Sequence, residues 1–267
     1  MLKGWTRFHC AVVGLTDSST VKLYDCRTLS ERDQGIKAAV AAVKRGELIV
    51  MPTDTLYGIG ADAFTAYAVD SLQRAKRRGR DKPPPILVGS RRTLDGLARK
   101  LSPQARDLIA AFWPGALTIV VPHAPSLSWD LGDTGDTVAV RMPMHPVALE
   151  VLAQTGPMAV SSANQTGSPP ASTAAEAREQ LKYAVRVYLE SGPLRDSVPS
   201  TIVDLSRDIP RVLRRGAITI EQLREVVPDI QDIDEPDGVS AGSHATPVSV
   251  DSSGPAEDTE ESRPGGE

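Results

Sequence analysis

The chain has 267 residues, 40% of them hydrophobic and 24% charged, enough to bury one large core or two small ones with sequence to spare. Eleven acidic residues and one basic fall within residues 228–267, so the net charge of −4 leaves about +6 on residues 1–227, a balance that suits an anionic ligand for the body. Cys10 and Cys26 show no CxxC or Cys/His spacing, which argues against a disulfide framework or a zinc site, and no apolar run approaches membrane-spanning length.

Residues 1–20 carry Lys3 and Arg7, but the apolar run from Cys10 to Leu15 is too short for a signal peptide and no cleavage pattern follows. They read as a loose extension, and the chain reads as cytoplasmic. Ser30 with Asp33 resembles a capping box ahead of an Ala-rich helix to Arg45, where Gly46 supplies the stop. Leu48 to Met51 is an apolar run that reads as a buried strand, and Pro52 forces the chain out of the sheet. The small hydroxyls of Thr53 and Thr55 then flank Asp54, and Gly58 and Gly60 let the backbone approach a ligand beyond the strand ends. The same residue types also make a Ser/Thr turn that merely ends a strand.

Thr65 reads as the cap of a helix with Ala68, Val69, Leu72 and Ala75 at helical spacing, which delivers Lys76 and Arg78 to its C-terminal end. A strand is expected at Ile86–Val88, a helix near 91–99, and a second helix opened by Ser102-Pro103 and ended by Pro114-Gly115. Leu117–Val121 and Thr137–Arg141 read as strands, with a helix from Pro146 to Thr155 capped by Gly156. Met158–Ser161 is a strand, a polar loop leads to a helix near 173–182, and Val185–Leu189 follows. Thr201–Leu205 and Arg211–Arg214 are too close for a helical crossover, so they pair antiparallel and the sheet is mixed. From Pro228 the tail is too poor in apolar residues to offset its ordering entropy, which divides the chain into an extension at 1–20, one folded domain at 21–227 and an acidic disordered tail at 228–267.

Six basic residues lie between Arg74 and Lys82. Arg74, Arg77 and Lys82 read as a solvated face, whereas Lys76 and Arg78, two apart at a helix end, can address one phosphate as a compact charge and a bidentate fork. Gly58-Ile59-Gly60-Ala61-Asp62-Ala63 fits GxGxxA but does not join a strand directly to a helix, so it is no dinucleotide fingerprint. There is no P-loop and no GxSxG, and His9, His123, His145 and His244 form no ligand or triad pattern. Ser161-Ser162-Ala163-Asn164 follows a strand and offers donors and acceptors, or a turn cap. Arg141 closes an apolar strand and needs an anionic partner, either a protein carboxylate or a ligand.

Seven ordered blocks, PTDTLYGIG (52–60), Lys76-x-Arg78, FWPGALTIVV (112–121), TVAVRMPMHP (137–146), SSAN (161–164), STIVD (200–204) and LRRGAI (213–218), together resemble the YrdC-like family over residues 31–220. The resemblance implies an α/β fold with an open twisted mixed sheet and flanking helices in one domain. It also implies synthesis of L-threonylcarbamoyl-AMP, the intermediate for threonylcarbamoyl adenosine in tRNA. Carried over by position, Thr53, Arg141 and Ser200 would meet threonine. Lys76, Thr137, Ser162, Asn164 and Arg214 would face ATP, with Lys76 and Arg78 as the catalytic pair. Gly79 stands where relatives usually have proline, the segment before Ile86 carries an extra residue, and a polar residue near Val88 is missing; the second domain of longer relatives is replaced by the acidic tail.

The implied substrates are ATP, L-threonine and bicarbonate, with proteins that transfer the threonylcarbamoyl group to tRNA downstream. An in-line displacement at phosphorus rests on positioning and charge neutralisation, so Lys76, Arg78 and Arg214 with Mg2+ form the expected apparatus. No carboxylate pair has clear metal spacing, so magnesium is expected to ride on the phosphates. The competing reading is an RNA-binding module using the same basic concavity; at 4% aromatic residues such binding would be weak in stacking and mostly electrostatic.

Overall fold

The computed structural model describes residues 21–194 and 197–235, so the extension at 1–20, Cys10, His9, His244 and the tail beyond residue 235 lie outside the described residues. Ten strands form one mixed sheet. In chain order they are β1 (Lys22–Asp25), β2 (Ile49–Met51), β3 (Gly58–Asp62), β4 (Ile86–Leu87), β5 (Leu117–Pro122), β6 (Thr137–Arg141), β7 (Met158–Ser162), β8 (Val187–Glu190), β9 (Thr201–Asp204) and β10 (Arg211–Arg214). Their spatial order is β1-β8-β2-β3-β7-β4-β6-β5-β9-β10, an open sheet whose two ends do not meet. β9 and β10 pair antiparallel as their spacing requires, while β1 and β2 both run parallel to β8.

Seven helices flank the sheet: α1 (Leu29–Lys44), α2 (Ala66–Lys76), α3 (Arg91–Leu97), α4 (Pro103–Phe112), α5 (Pro146–Thr155), α6 (Ala174–Leu181) and α7 (Ile220–Val226). The period-2 alternation of the strands decides where each helix packs. On β2, Ile49 and Met51 join Ile36, Val40 and Val43 of α1 and Val151 and Leu152 of α5, whereas Val50 joins Leu72 of α2 and Ala177 of α6 on the other face. On β5, β6 and β9, Leu117, Ile119, Val138, Val140 and Val203 face Leu94, Leu108 and Leu223 of α3, α4 and α7. The alternate residues Thr118, Ala139 and Ile202 carry no helix above them. They form the floor of a cleft, together with Leu87 and Val160 from the face covered by α1 and α5. The cleft therefore lies over an uncovered stretch of sheet face, not simply beyond the strand ends.

Several local expectations are corrected. Helix α1 starts at Leu29 with Thr28 as its cap residue and no side-chain cap, so Ser30 with Asp33 is not a capping box. Thr65 holds the cap position of α2, but its hydroxyl donates to Asp62 Oδ2 at 2.6 Å instead of capping. Gly58 and Gly60 lie inside β3, where an added Cβ would sit 2.6 Å from Val160 Cγ1 and 2.8 Å from Met158 Cε. Their first duty is to admit the side chains of β7, and GxGxxA is accordingly a strand.

The body also runs past residue 227. Ile230 is 1% exposed and packs beside Val227, Gln231 N–H donates to the Pro210 carbonyl at 2.9 Å, and the Asp232 and Glu235 carboxylates pair with Arg215 at 2.8 Å and Arg224 at 2.6 Å. A tail disordered from 228 is thus corrected to a strap through 235. Burying Ile230 is worth about 2 kcal/mol before the hydrogen bonds are counted, and each kcal/mol moves the melting temperature of a domain this size by about 2–4 °C. Deleting 228–267 should therefore lower Tm by about 5 °C or more, measured by calorimetry, and deleting only 236–267 should leave it nearly unchanged. Equal effects of the two deletions would show that the strap contributes nothing.

Candidate active site

The cleft has a volume of about 220 Å³ and brings together Thr53, Arg78, Arg141, Ser162, Ser200 and Arg214. The chain leaves β2 at Pro52 and turns at once. Thr53 Oγ1 donates to the Leu56 carbonyl at 2.6 Å and accepts from the amides of Thr55 and Leu56 at 3.2 Å, so this hydroxyl builds a Ser/Thr turn and still lines the cleft. The turn is fixed further along by Tyr57, whose buried hydroxyl shares its one proton between Glu190 Oε1 at 2.8 Å and the Gly192 carbonyl at 2.7 Å and accepts from Ser191 N–H at 3.0 Å.

Arg141 ends β6 and is 6% exposed. Its Nη2 donates to Asp54 Oδ1 at 2.6 Å, its Nη1 to Thr55 Oγ1 at 2.7 Å and its Nε to the Gly115 carbonyl at 2.9 Å. The anionic partner demanded by a buried arginine is thus the carboxylate of Asp54. A guanidinium has five N–H groups, and the three bonds named leave two for a ligand in the cleft.

Arg214 ends β10, which is bulged before it, and wraps the turn ahead of β9: Nε and Nη2 donate to the Ser200 carbonyl at 3.0 and 2.8 Å, and Nη2 to Ser200 Oγ at 3.0 Å. Ser200 Oγ also shares a hydrogen bond with Thr118 Oγ1 at 2.8 Å. On the opposite wall, Arg78 donates through Nη1 to Ser161 Oγ at 3.1 Å and reaches the Pro83 carbonyl at 3.5 Å. Its Nε is buried and has no hydrogen-bond partner, a cost that a native structure bears where a ligand or solvent completes the site.

Three arginines thus converge on one cleft with Asp54 as the carboxylate paired among them. Burial, and then the charges of Arg141 and Arg78, push the Arg214 guanidinium below its ordinary pKa. Elsewhere some arginines are neutralised by carboxylates: Arg27, Arg45 and Arg80 pair with Asp25, Glu47 and Asp130. Arg78 and Arg214 instead donate to neutral oxygens and form no direct ion pair, which leaves their charge available to an anion.

Not every residue expected at the site reaches the cleft. Lys76 is 3% exposed, and its ammonium donates to the Ser162 and Asn164 carbonyls at 2.5 and 2.7 Å, with Ser162 Oγ and Asn164 Oδ1 both at 3.3 Å. It lies behind Ser162. Burial, with the Arg78 charge adding to it, pulls its pKa down to about 8 from 10.5. Asn164 faces the same cage and donates to the Gln165 and Ser168 carbonyls at 3.1 and 2.7 Å. Thr137 lines a neighbouring cavity with Pro83 and Ala139, and its hydroxyl donates to the Thr134 carbonyl. Sequence reasoning gave no role to Thr118 or to the carboxylate of Asp54. The signal for Thr118 was a lone hydroxyl within the apolar run Leu117–Val121; that for Asp54 was only its place between two threonines.

Comparison with known proteins places this geometry. A putative threonylcarbamoyl-AMP synthase of Mycobacterium tuberculosis is 55% identical over 204 residues, which are 76% of this chain and 94% of that protein. The threonylcarbamoyl-AMP synthase of Bacillus subtilis is 36% identical over 201 residues, 74% of this chain and 58% of the longer relative. Among solved structures, Pyrococcus abyssi Sua5 complexed with L-threonine matches with a TM-score of 0.74 at 32% identity, covering 80% of this chain and 62% of that one. The model of the Sua5, YciO and YrdC family, described as telomere recombination, matches residues 41–216, and with that match and those relatives the chain belongs to this family.

Proposed function

We propose that this protein is an L-threonylcarbamoyl-AMP synthase, converting L-threonine, bicarbonate and ATP to L-threonylcarbamoyl-AMP and pyrophosphate for the modification of tRNA. The observation that carries the reading is the convergence of Arg78, Arg141 and Arg214 on one cleft, with the Arg78 Nε unpartnered. The relatives named above bring the substrate class, and the threonine-bound neighbour brings the amino acid.

In this reading the threonine amine takes up carbon dioxide from bicarbonate to give a carbamate. A carbamate oxygen attacks the α-phosphorus of ATP as the bond to the bridging oxygen breaks, and pyrophosphate leaves with that electron pair. Negative charge spreads over the transferred phosphoryl group and the leaving group, so fixed cations that require no reorganisation lower the barrier. Arg78 and Arg214, on opposite walls, serve that purpose, with Ser162 beside them. The two unengaged N–H groups of Arg141 receive the threonine carboxylate, with Thr53 and Ser200 alongside. Lys76 acts from behind by holding the Ser162–Asn164 segment, and Thr137 would meet ATP only through the neighbouring cavity. Among the described residues no group of three His, Cys, Asp or Glu side chains could hold a metal ion. Mg2+ enters the proposal as a companion of the ATP phosphates and no step is assigned to it. No helix of the described residues is long and apolar enough to cross a membrane. A cytoplasmic place, beside the proteins that pass the threonylcarbamoyl group to tRNA, completes the proposal; RNA contact by this chain is not needed for its chemistry.

Purified protein given ATP, magnesium, L-threonine and bicarbonate without RNA should release pyrophosphate and form the adenylate, detected by mass spectrometry, and omitting threonine or bicarbonate should stop it. No adenylate, together with RNA binding that falls steeply with salt, would favour the nucleic-acid reading instead.

Arg78→Ala should lower turnover by about tenfold or more, because a charge-assisted contact to phosphate is worth about 1.5–3 kcal/mol and each 1.4 kcal/mol is about a factor of ten. Its circular dichroism should match the wild type. Arg141→Met should behave differently, since it strands the Asp54 carboxylate in a buried place: a stability loss of about 3–5 kcal/mol in urea titration accompanies any loss of threonine binding. Comparable stability of the two variants would mean that the Arg141–Asp54 pair does not organise the fold.

Lys76 makes a pH-dependent contribution. Its folded pKa, about 8, lies below the 10.5 of an ordinary lysine, so between these values the unfolded chain binds more protons and stability rises with pH. The stability difference between wild type and Lys76→Met should therefore move in favour of the wild type from pH 8 to pH 10. A difference that is flat with pH would show that the buried ammonium keeps an ordinary pKa.

A further inference from the structure

Arg78 is poorly held for a group with a positional task. Its guanidinium has only a 3.1 Å contact to Ser161 Oγ and a 3.5 Å contact to the Pro83 carbonyl, and it sits two residues past the end of α2 on a loop. The loop is fixed from outside the cleft by residues 130–133. The Arg80 guanidinium forms a bidentate pair with Asp130, at 2.6 and 3.1 Å, and Asp130 Oδ1 also accepts from Gly132 N–H at 3.2 Å. The Arg80 carbonyl accepts from Asp133 N–H at 2.9 Å. Gly132 has φ +103°, and a Cβ there would stand 2.6 Å from the Arg80 carbonyl oxygen and 3.3 Å from Gln73 Nε2. Gln73, buried in the last turns of α2, donates that same nitrogen to the Leu131 carbonyl at 3.4 Å, and Leu131 is itself 2% exposed in the core. Trp129, next in line, stacks on Phe64 with ring centroids 5.8 Å apart, which anchors the far side of the clamp to the exit of β3.

From these contacts we infer that Asp130 and Gly132 are positioning residues for Arg78: they clamp the loop at Arg80, through its guanidinium and its carbonyl, and so set where the Arg78 guanidinium stands in the cleft. The inference rests on the proposed reading in which Arg78 meets the ATP phosphates. A merely structural role would predict the wrong magnitudes. The Arg80–Asp130 pair is about half exposed, 54% and 48%, and an ion pair of that kind contributes little to global stability. A small displacement of a group that contacts the reacting phosphates nevertheless costs rate steeply.

The test is a double-mutant cycle on the full chain, with Arg78→Ala, Asp130→Asn and both together, reading KM for ATP, KM for threonine, kcat and Tm. Asp130→Asn should reduce kcat/KM for ATP by about threefold or more while leaving KM for threonine within about twofold and Tm within about 2 °C. In the Arg78→Ala background the same substitution should have no further effect on ATP, because there is nothing left to place. Gly132→Ala should produce a larger ATP defect of the same kind, and the Asp130 variant keeps the test decisive should Gly132→Ala not fold. If Arg78→Ala impairs ATP use but Asp130→Asn is silent, or its effect adds in full to that of Arg78→Ala, the clamp is refuted and the reading of Arg78 stands. If Arg78→Ala itself leaves ATP use unchanged, both fall together.

Discussion

The pair between Arg141 and Asp54 is the constraint on which the rest of the site depends. In the sheet, three strands, β3, β7 and β4, separate β2 from β6, yet the turn that follows β2 and the last residue of β6 meet at 2.6 Å. The pair spans the face between them, and its side chains are only 7% and 13% exposed. Asp54 Oδ1 accepts in addition from Met144 N–H at 2.8 Å, so the turn is tied to the chain leaving β6 as well as to its last side chain. Desolvating two charges cancels much of what their attraction returns, so such a pair contributes little net stability relative to apolar packing. What it contributes is place. Thr53 and Thr55 cannot drift from Arg141 without uncovering a buried charge, and this fixes one wall of the cleft.

The opposite electrostatic choice is made at the other walls. Arg78 and Arg214 are held by hydroxyl and carbonyl oxygens, which orient a guanidinium without cancelling it. Those walls keep positive charge on a half-buried Arg78 and on a solvent-exposed Arg214, where an incoming phosphate can reach it. Lys76 extends the pattern inward. A buried ammonium among four oxygens carries its charge to the back of Ser162, and the loss of solvation shows as a pKa of about 8. The cleft therefore has a graded field, with Arg141 paired directly to a carboxylate and Arg78 and Arg214 hydrogen-bonded only to neutral oxygens, as two substrates of unlike charge would require.

Much of the fold was legible because periodicity and punctuation agree along this chain. β6, α5 and β10 fall on the residues that alternation, Pro146 and Gly156 select, and Ser102 caps α4 through the Ala105 amide. β3 was missed because glycines at 58 and 60 carry no hydrophobic pattern; what makes them a strand is the bulk of Val160 and Met158 on β7, a hundred residues away. Helix α7 had a local signal that was overlooked, the Thr219-x-x-Gln222 capping box that the structure forms in full. The strap through 235 was illegible in composition, since two isoleucines among acidic residues declare nothing until Arg215 and Arg224 are found opposite those acids. At the site, the residue types were readable and their partners were not. That Arg141 needs an anion follows from its strand; that the anion is Asp54, and that Lys76 faces the protein, are facts of long-range packing.

Lys76 shows why such a distinction bears on mechanism. A lysine in open contact with phosphate contributes as a mobile point charge, and its loss would be felt mainly in binding. A lysine caged by the Ser162 and Asn164 carbonyls does something else: it fixes the backbone of the segment that ends β7, and the Thr166 amide closes the arrangement by donating to the Lys76 carbonyl at 3.0 Å. The same residue thus joins the last turn of α2 to the loop after β7, while Arg78, two residues on, reaches Ser161 from the same helix end. Helix α2 and strand β7 are locked at two consecutive points, and the cleft wall between them presents the Arg78 guanidinium on a neutral hydroxyl oxygen.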